Sequence, residues 1–257
     1  MKLLRHSPHC VREDKQTPPE SVHPASLIRY TETPEIALDP AVLGRNLVVT
    51  ADGNDPVTSA YKMLRTRVLQ HMTAGGWNVL AITSPGPGEG KTLTALNLAI
   101  SLSKEVNHTV LLVELDLRRP TLHQYLGYQH ELGITDYLLR DAPLKSIMFN
   151  PGIDRLVVIQ AGRAMSNSSE LLSSPRMVDL AREIKERYPS RMVLFDLPPL
   201  LSTDDALAFL PYIDAALLVV SQDRTTQEGV TQAKNFLGST HVIGAVMNHS
   251  TSQIKGL

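Results

Sequence analysis

Val79-Leu80-Ala81-Ile82-Thr83-Ser84-Pro85-Gly86-Pro87-Gly88-Glu89-Gly90-Lys91-Thr92 is the stretch whose reading decides the fold. A short apolar run predicts a buried strand, the Gly/Pro segment after it predicts a loop, and a helical pattern runs from Lys91 to about Ser103. In that order the three pieces form a phosphate-binding turn. Glycines let successive N–H groups curl toward phosphate oxygens, and the helix start adds the positive end of its dipole. Lys91 is then placed for the outer phosphates of a nucleoside triphosphate, with the Thr92 hydroxyl as a ligand to Mg²⁺. Gly86, Gly88, Glu89, Gly90 and Leu93 complete the expected binding set with Lys91 and Thr92. Pro85 stands where a strict Walker A motif has Gly or Ala. An ordinary Gly/Pro turn is the competing reading, and it is disfavoured because Gly90-Lys91-Thr92 follows a buried strand directly.

Downstream, apolar runs recur at 110–113, 156–159, 192–195, 215–220 and 242–247, with helix-like stretches near 135–139, 175–188, 203–210 and 226–237. Strands that are apolar without alternation imply a sheet covered on both faces, and alternation with helices implies parallel connections. The expected class is α/β: a doubly wound, mainly parallel sheet of the P-loop NTPase kind with helices on both faces. Upstream, Asp55-Pro56 opens a helix over 55–72 whose apolar face is expected to be Val57, Ala60, Tyr61, Leu64 and Val68.

Ligands of doubly wound sheets sit beyond the carboxyl ends of the strands, and two further strands end there in acids. The run from Val110 leads to Glu114 and Asp116, two residues apart and so on one side; the run from Met192 ends in Asp196 before Leu197-Pro198-Pro199. Such carboxylates hold Mg²⁺ or accept a proton from an attacking hydroxyl. A lone strand-end acid is more often a cap or turn residue. Three acids at two strand ends, in a chain with a phosphate loop, shift the balance toward chemistry. Lys91, Glu114, Asp116 and Asp196 are the candidate catalytic residues, and Thr92, Asp116 and Asp196 the candidate metal ligands.

Composition is that of an ordinary globular domain, and a formal net charge of −1 without blocks of like charge argues against nucleic-acid binding by bulk electrostatics. No apolar run reaches the length of a membrane span, and no secretory leader is read at the start. One cysteine, Cys10, fits a reducing cytosol. Residues 1–50, with prolines at 8, 18, 19, 24, 34 and 40, predict a flexible or extended arm; 51–250 form the domain and 251–257 a short tail. His6, His9 and Cys10 lack a fourth ligand at metal-site spacing and are read as incidental.

Leu115-Asp116-Leu117-Arg118-Arg119-Pro120, Asp196-Leu197-Pro198-Pro199, Asn167-Ser168-Ser169-Glu170-Leu171-Leu172, Thr203-Asp204-Asp205-Ala206 and Gly244-Ala245-Val246-Met247-Asn248 together resemble the bacterial tyrosine kinases of capsule and exopolysaccharide synthesis, the BY-kinases. The resemblance runs from about 55 to 249. It implies a P-loop fold of the broad MinD/ParA group, MgATP as cofactor, and γ-phosphoryl transfer to tyrosine, commonly between subunits of a homo-oligomeric ring. It also implies a cytoplasmic chain recruited to the inner membrane face by a membrane-bound co-polymerase or chain-length determinant. Asn248, a strand-end asparagine, is a candidate for seating the adenine.

Departures accompany the matches. Glu114 stands where the family has the first Asp of its second Walker motif. The helix motif tied to ring assembly, Glu-x-x-Arg-x-x-Arg, reads Ser59-x-x-Lys62-x-x-Arg65. The last tyrosine is Tyr212, so the usual terminal tyrosine cluster is missing, and Tyr30 is the most accessible tyrosine by sequence. A regulatory ATPase of the MinD/ParA type is the alternative; it carries a lysine where this chain has Gly86. A nucleotide-binding scaffold with little kinase activity is the other.

Overall fold

A computed structural model describes residues 33–49, 55–187 and 190–250. The arm residues His6, His9, Cys10 and Tyr30, along with Tyr188 and the tail at 251–257, lie outside the described residues.

Seven strands, β1 (Val79–Thr83), β2 (Thr109–Glu114), β3 (Met148–Phe149), β4 (Leu156–Ile159), β5 (Arg191–Asp196), β6 (Ala215–Ser221) and β7 (His241–Asn248), form one sheet in the order β3-β4-β2-β5-β1-β6-β7. All neighbours are parallel except β3 and β4, which run antiparallel. The apolar runs of the central strands are buried along their whole length, as a sheet covered on both faces requires. On one face lie α1 (Pro40–Arg45), α2 (Pro56–Gly75), α3 (Lys91–Ser103) and α4 (Leu122–Leu126). On the other lie α5 (Ile134–Arg140), α6 (Ser168–Leu172), α7 (Pro175–Arg187), α8 (Asp205–Phe209) and α9 (Gln227–Leu237).

The strand order positions the site. β5 inserts between β1 and β2, so the chain segments leaving these three strands end side by side. Register then sets the level: Asp196 pairs with Ile82 on one side and with Glu114 on the other. α3 carries the phosphate loop's lysine and is buried almost all round, because α2 covers the side that the sheet does not.

Two expectations need correction. Residues 33–49, expected within an extended arm, pack onto the domain. Asp39 caps α1 by accepting from Ala41 N, and Pro40 takes the first helical position, where its missing N–H costs nothing. Asn46 Nδ2 donates to the carbonyls of Gln124 and Tyr125 on α4. Asn97 of α3 accepts from Val49 N and donates to Leu47 O, which fixes the end of the segment. The second concerns α2: Val57 is half exposed, and Thr58, Val68 and Met72 are the buried members of its face. The Thr58 hydroxyl is satisfied by the helix cap Asp55, so it is buried without a polar penalty. Among the described residues no helix is long and apolar enough to cross a membrane.

Candidate active site

The loop between β1 and α3 has two left-handed residues, Gly88 at φ 73° and Gly90 at φ 88°. Gly90 also has no room for a side chain, since a Cβ there would come within 1.9 Å of Asn248 Nδ2. α3 therefore begins without a side-chain cap, and the N–H groups of its first turn, Leu93 included, have no intrahelical acceptor. That arrangement fits an anion at the helix start.

Lys91 Nζ sits 2.7 Å from Asp116 Oδ2, 3.7 Å from Asp196 Oδ1 and 3.3 Å from Thr92 Oγ1. Three strand ends thus meet in one polar centre, and all four residues are buried. Burial alone lowers the Lys91 pKa, but the charges of Asp196 and Asp116 outweigh it and hold the ammonium above its ordinary range. Asp116 Oδ1 accepts from Arg119 N, which holds the carboxylate's other edge. Thr121, at the start of α4, donates its hydroxyl to Thr92 Oγ1 at 3.3 Å; this contact was not singled out from sequence.

Asp196 is the anomaly of the site. Neither of its carboxylate oxygens has a hydrogen-bond partner of full geometry, the Thr92 hydroxyl giving only a weak pull on the charged form, and both are buried. Desolvation raises its pKa to about 7, against the opposing pull of Lys91. A buried charge with incomplete pairing costs several kcal/mol. An orphaned carboxylate pointing at the Thr92 hydroxyl and the phosphate loop fits a divalent cation shared with phosphate oxygens. Mg²⁺ is bound in this way, by one or two carboxylates plus substrate oxygens. Among the described residues no group of three or more His, Cys, Asp or Glu is placed to hold a metal.

Glu114 is placed differently from its expected catalytic role. Its Oε1 accepts from Thr121 N and Leu122 N, both at 2.7 Å, and its Oε2 from Ala161 N at 3.0 Å. Burial still raises its pKa, against these three donors. The carboxylate caps α4 and ties β2 to the segment after β4, so it positions the site rather than facing it. The longer side chain is what lets one carboxylate span both partners.

Glu89 and Asn248 also turn inward. Glu89 Oε2 accepts from Gly86 N at 3.0 Å, and its Oε1 accepts from the Thr225 hydroxyl in the β6–α9 loop. Asn248 Nδ2 donates to Glu89 O at 3.0 Å. Both brace the phosphate loop. Arg118 follows Asp116 by two residues in the Leu115–Pro120 stretch. Its guanidinium forks onto Asp205 at 2.8 and 3.2 Å, and Ser168 Oγ donates to the same carboxylate at 2.7 Å. That partly buried network ties the segment after β2 to α6 and α8.

Comparison with known proteins gives the family. A family model described as an AAA domain matches residues 77–249. The chain is 32% identical over 206 residues to the tyrosine-protein kinase YwqD of Bacillus subtilis, covering 79% of this chain and 86% of that protein. It is 31% identical over 209 residues to the putative tyrosine-protein kinase EpsB of Ralstonia nicotianae, covering 80% of this chain but only 27% of that longer protein. Among solved structures, the kinase domain of the Escherichia coli tyrosine kinase ETK superposes with a TM-score of 0.69 at 29% identity, over 79% of this chain and 82% of that one.

Proposed function

The chain belongs to the bacterial tyrosine-kinase family, whose P-loop fold implies ATP binding, and we propose that Lys91, Thr92, Asp116 and Asp196 form its phosphoryl-transfer centre. The observation that carries the assignment is the pair of orphaned, buried Asp196 oxygens beside Lys91 and the phosphate loop.

In this reading the N–H groups of the loop and of the first turn of α3 cradle the phosphates, and Lys91 balances the charge on the outer ones. Thr92, Asp116 and Asp196 would hold Mg²⁺, which would supply positive charge to offset that of the phosphates. The tyrosine oxygen bonds to the γ-phosphorus as the bond to the β-phosphate oxygen breaks, leaving ADP. Glu114 is held by three backbone donors, and Asp116, whose carboxylate is paired with Lys91, receives the phenolic proton. Residues 51–250 form the catalytic domain, and the chain acts at the inner membrane face. There a membrane-bound co-polymerase of capsule or exopolysaccharide synthesis recruits it.

The test is to incubate the purified chain with labelled MgATP, with and without the cytoplasmic segment of a co-polymerase. Phosphotyrosine on either protein, lost in Lys91→Ala, is the expected result. Phosphate release without phosphotyrosine would overturn the kinase assignment.

A further inference from the structure

The β6–α9 loop, Gln222 to Thr226, is fastened to the phosphate loop at its base. Thr225 Oγ1 accepts from Ser221 N at 2.8 Å and donates to Glu89, and Thr225 N donates to Ser221 O at 3.0 Å. Glu89 in turn holds Gly86 N, so the end of β6 and the phosphate loop are joined through one carboxylate. Arg224 rides on this fastened segment. Its own N–H is bonded to Ser221 O at 3.3 Å, and its guanidinium lies over the loop's apex. Nη1 is 3.5 Å from Gly88 O and within 2.6 Å of the position that a Cβ on Gly88 would occupy.

Arg224 is exposed, and among the described residues it has no carboxylate partner. The contact to Gly88 O is at the outer limit of a hydrogen bond and aligns only one of five donors. A cation with a fixed backbone and a loosely held head is set against a loop whose N–H groups suit a polyanion. Fork geometry suits phosphate oxygens in particular.

We propose that Arg224 is a phosphate-contacting residue of the nucleotide site, swinging from Gly88 O onto the phosphate chain when nucleotide binds. This rests on the assignment of the phosphate loop, and it adds a second cation to Lys91.

Binding of ATP and of inorganic tripolyphosphate, each competed against a fluorescent ATP analogue, tests it in Arg224→Gln, Arg224→Lys and Lys91→Ala. Arg224→Gln is expected to weaken both ligands in parallel by about tenfold, the scale of one charge-assisted contact. Arg224→Lys is expected to fall between the parent and Arg224→Gln, because it keeps the charge and loses the fork. An unchanged ATP affinity in Arg224→Gln, or an equal loss in the Lys and Gln variants, would overturn the proposal. Weakening of ATP without weakening of tripolyphosphate would overturn it too, placing the contact on base or sugar. If Lys91→Ala retained parental ATP binding, the phosphate-loop assignment itself would fall. Loss in Lys91→Ala with no effect at Arg224 removes only the role of Arg224. Because the Arg224 side chain is exposed, the thermal midpoint of the ligand-free variants should match the parent and serves as the folding control.

Discussion

Strands β2 and β5 lie side by side and end at the same level, each in a buried acid, and the two acids are treated in opposite ways. Glu114 is satisfied by three backbone N–H groups, whereas Asp196 receives none. A fold that can saturate one carboxylate could saturate its neighbour by the same means. Leaving Asp196 bare costs stability, and such a cost is kept where a ligand repays it. Saturation therefore separates Glu114 from Asp196, two acids that are alike in burial and position.

The strongest way to break this comparison is Asp196→Asn. Phosphoryl transfer is expected to fall on the order of 100-fold or more, as for loss of a preorganised electrostatic group. The ligand-free protein should keep or gain thermal stability, since a poorly paired buried charge is gone. A lowered midpoint in differential scanning calorimetry would contradict the distinction. Glu114→Gln should do the reverse in kind: Nε2 cannot accept from Ala161 N, so urea unfolding should show a loss of about 1–3 kcal/mol.

A pH series sharpens the contrast. The Asp196 carboxyl has an ordinary value of 3.8 and about 7 in the fold, so the native state holds a proton that the unfolded chain has released in between. Stability of the metal-free, nucleotide-free protein is then expected to fall as pH rises through that interval and to level off above it. The difference from Asp196→Asn, followed by chemical denaturation at each pH, isolates the contribution of this one group. The smallest effect is expected at Asp204, which is largely exposed and 4.0 Å from Arg118: Asp204→Ala should change stability by less than about 0.5 kcal/mol, as surface pairs do. Asp205, buried in the fork of Arg118, belongs with Glu114 and should be far more sensitive.

Much of this was legible in the residues. β1, the phosphate loop and α3 follow from a glycine loop between two apolar periods, and the longer strands from unbroken apolar runs. β3 was not, because two residues carry no period, and its antiparallel direction depends on its pairing with β4. α1 was hidden by taking Pro40 as a breaker when, after Asp39, it is a helix start. The insertion of β5 between β1 and β2 is a tertiary choice that no local pattern encodes. Asp116 and Asp196 could be nominated from their strand ends. The role of Glu114 could not, since one of its partners, Ala161, lies 47 residues away. Thr225 and Arg224 gave no signal in advance, because their meaning lies in a loop that meets Glu89 and Gly88 only after folding.

The placement of β5 also has a consequence for how the chain is made. A ribosome that has delivered the phosphate loop and α3 has delivered neither the strand that separates β1 from β2 nor Asp196 at its end. Nucleotide cannot steady the nascent domain through a complete site until that later strand has emerged and slipped between two segments already synthesised. Protection of stalled chains from protease by MgATP should therefore switch on only at lengths that expose residue 196, about a hundred residues after the glycine loop is already free.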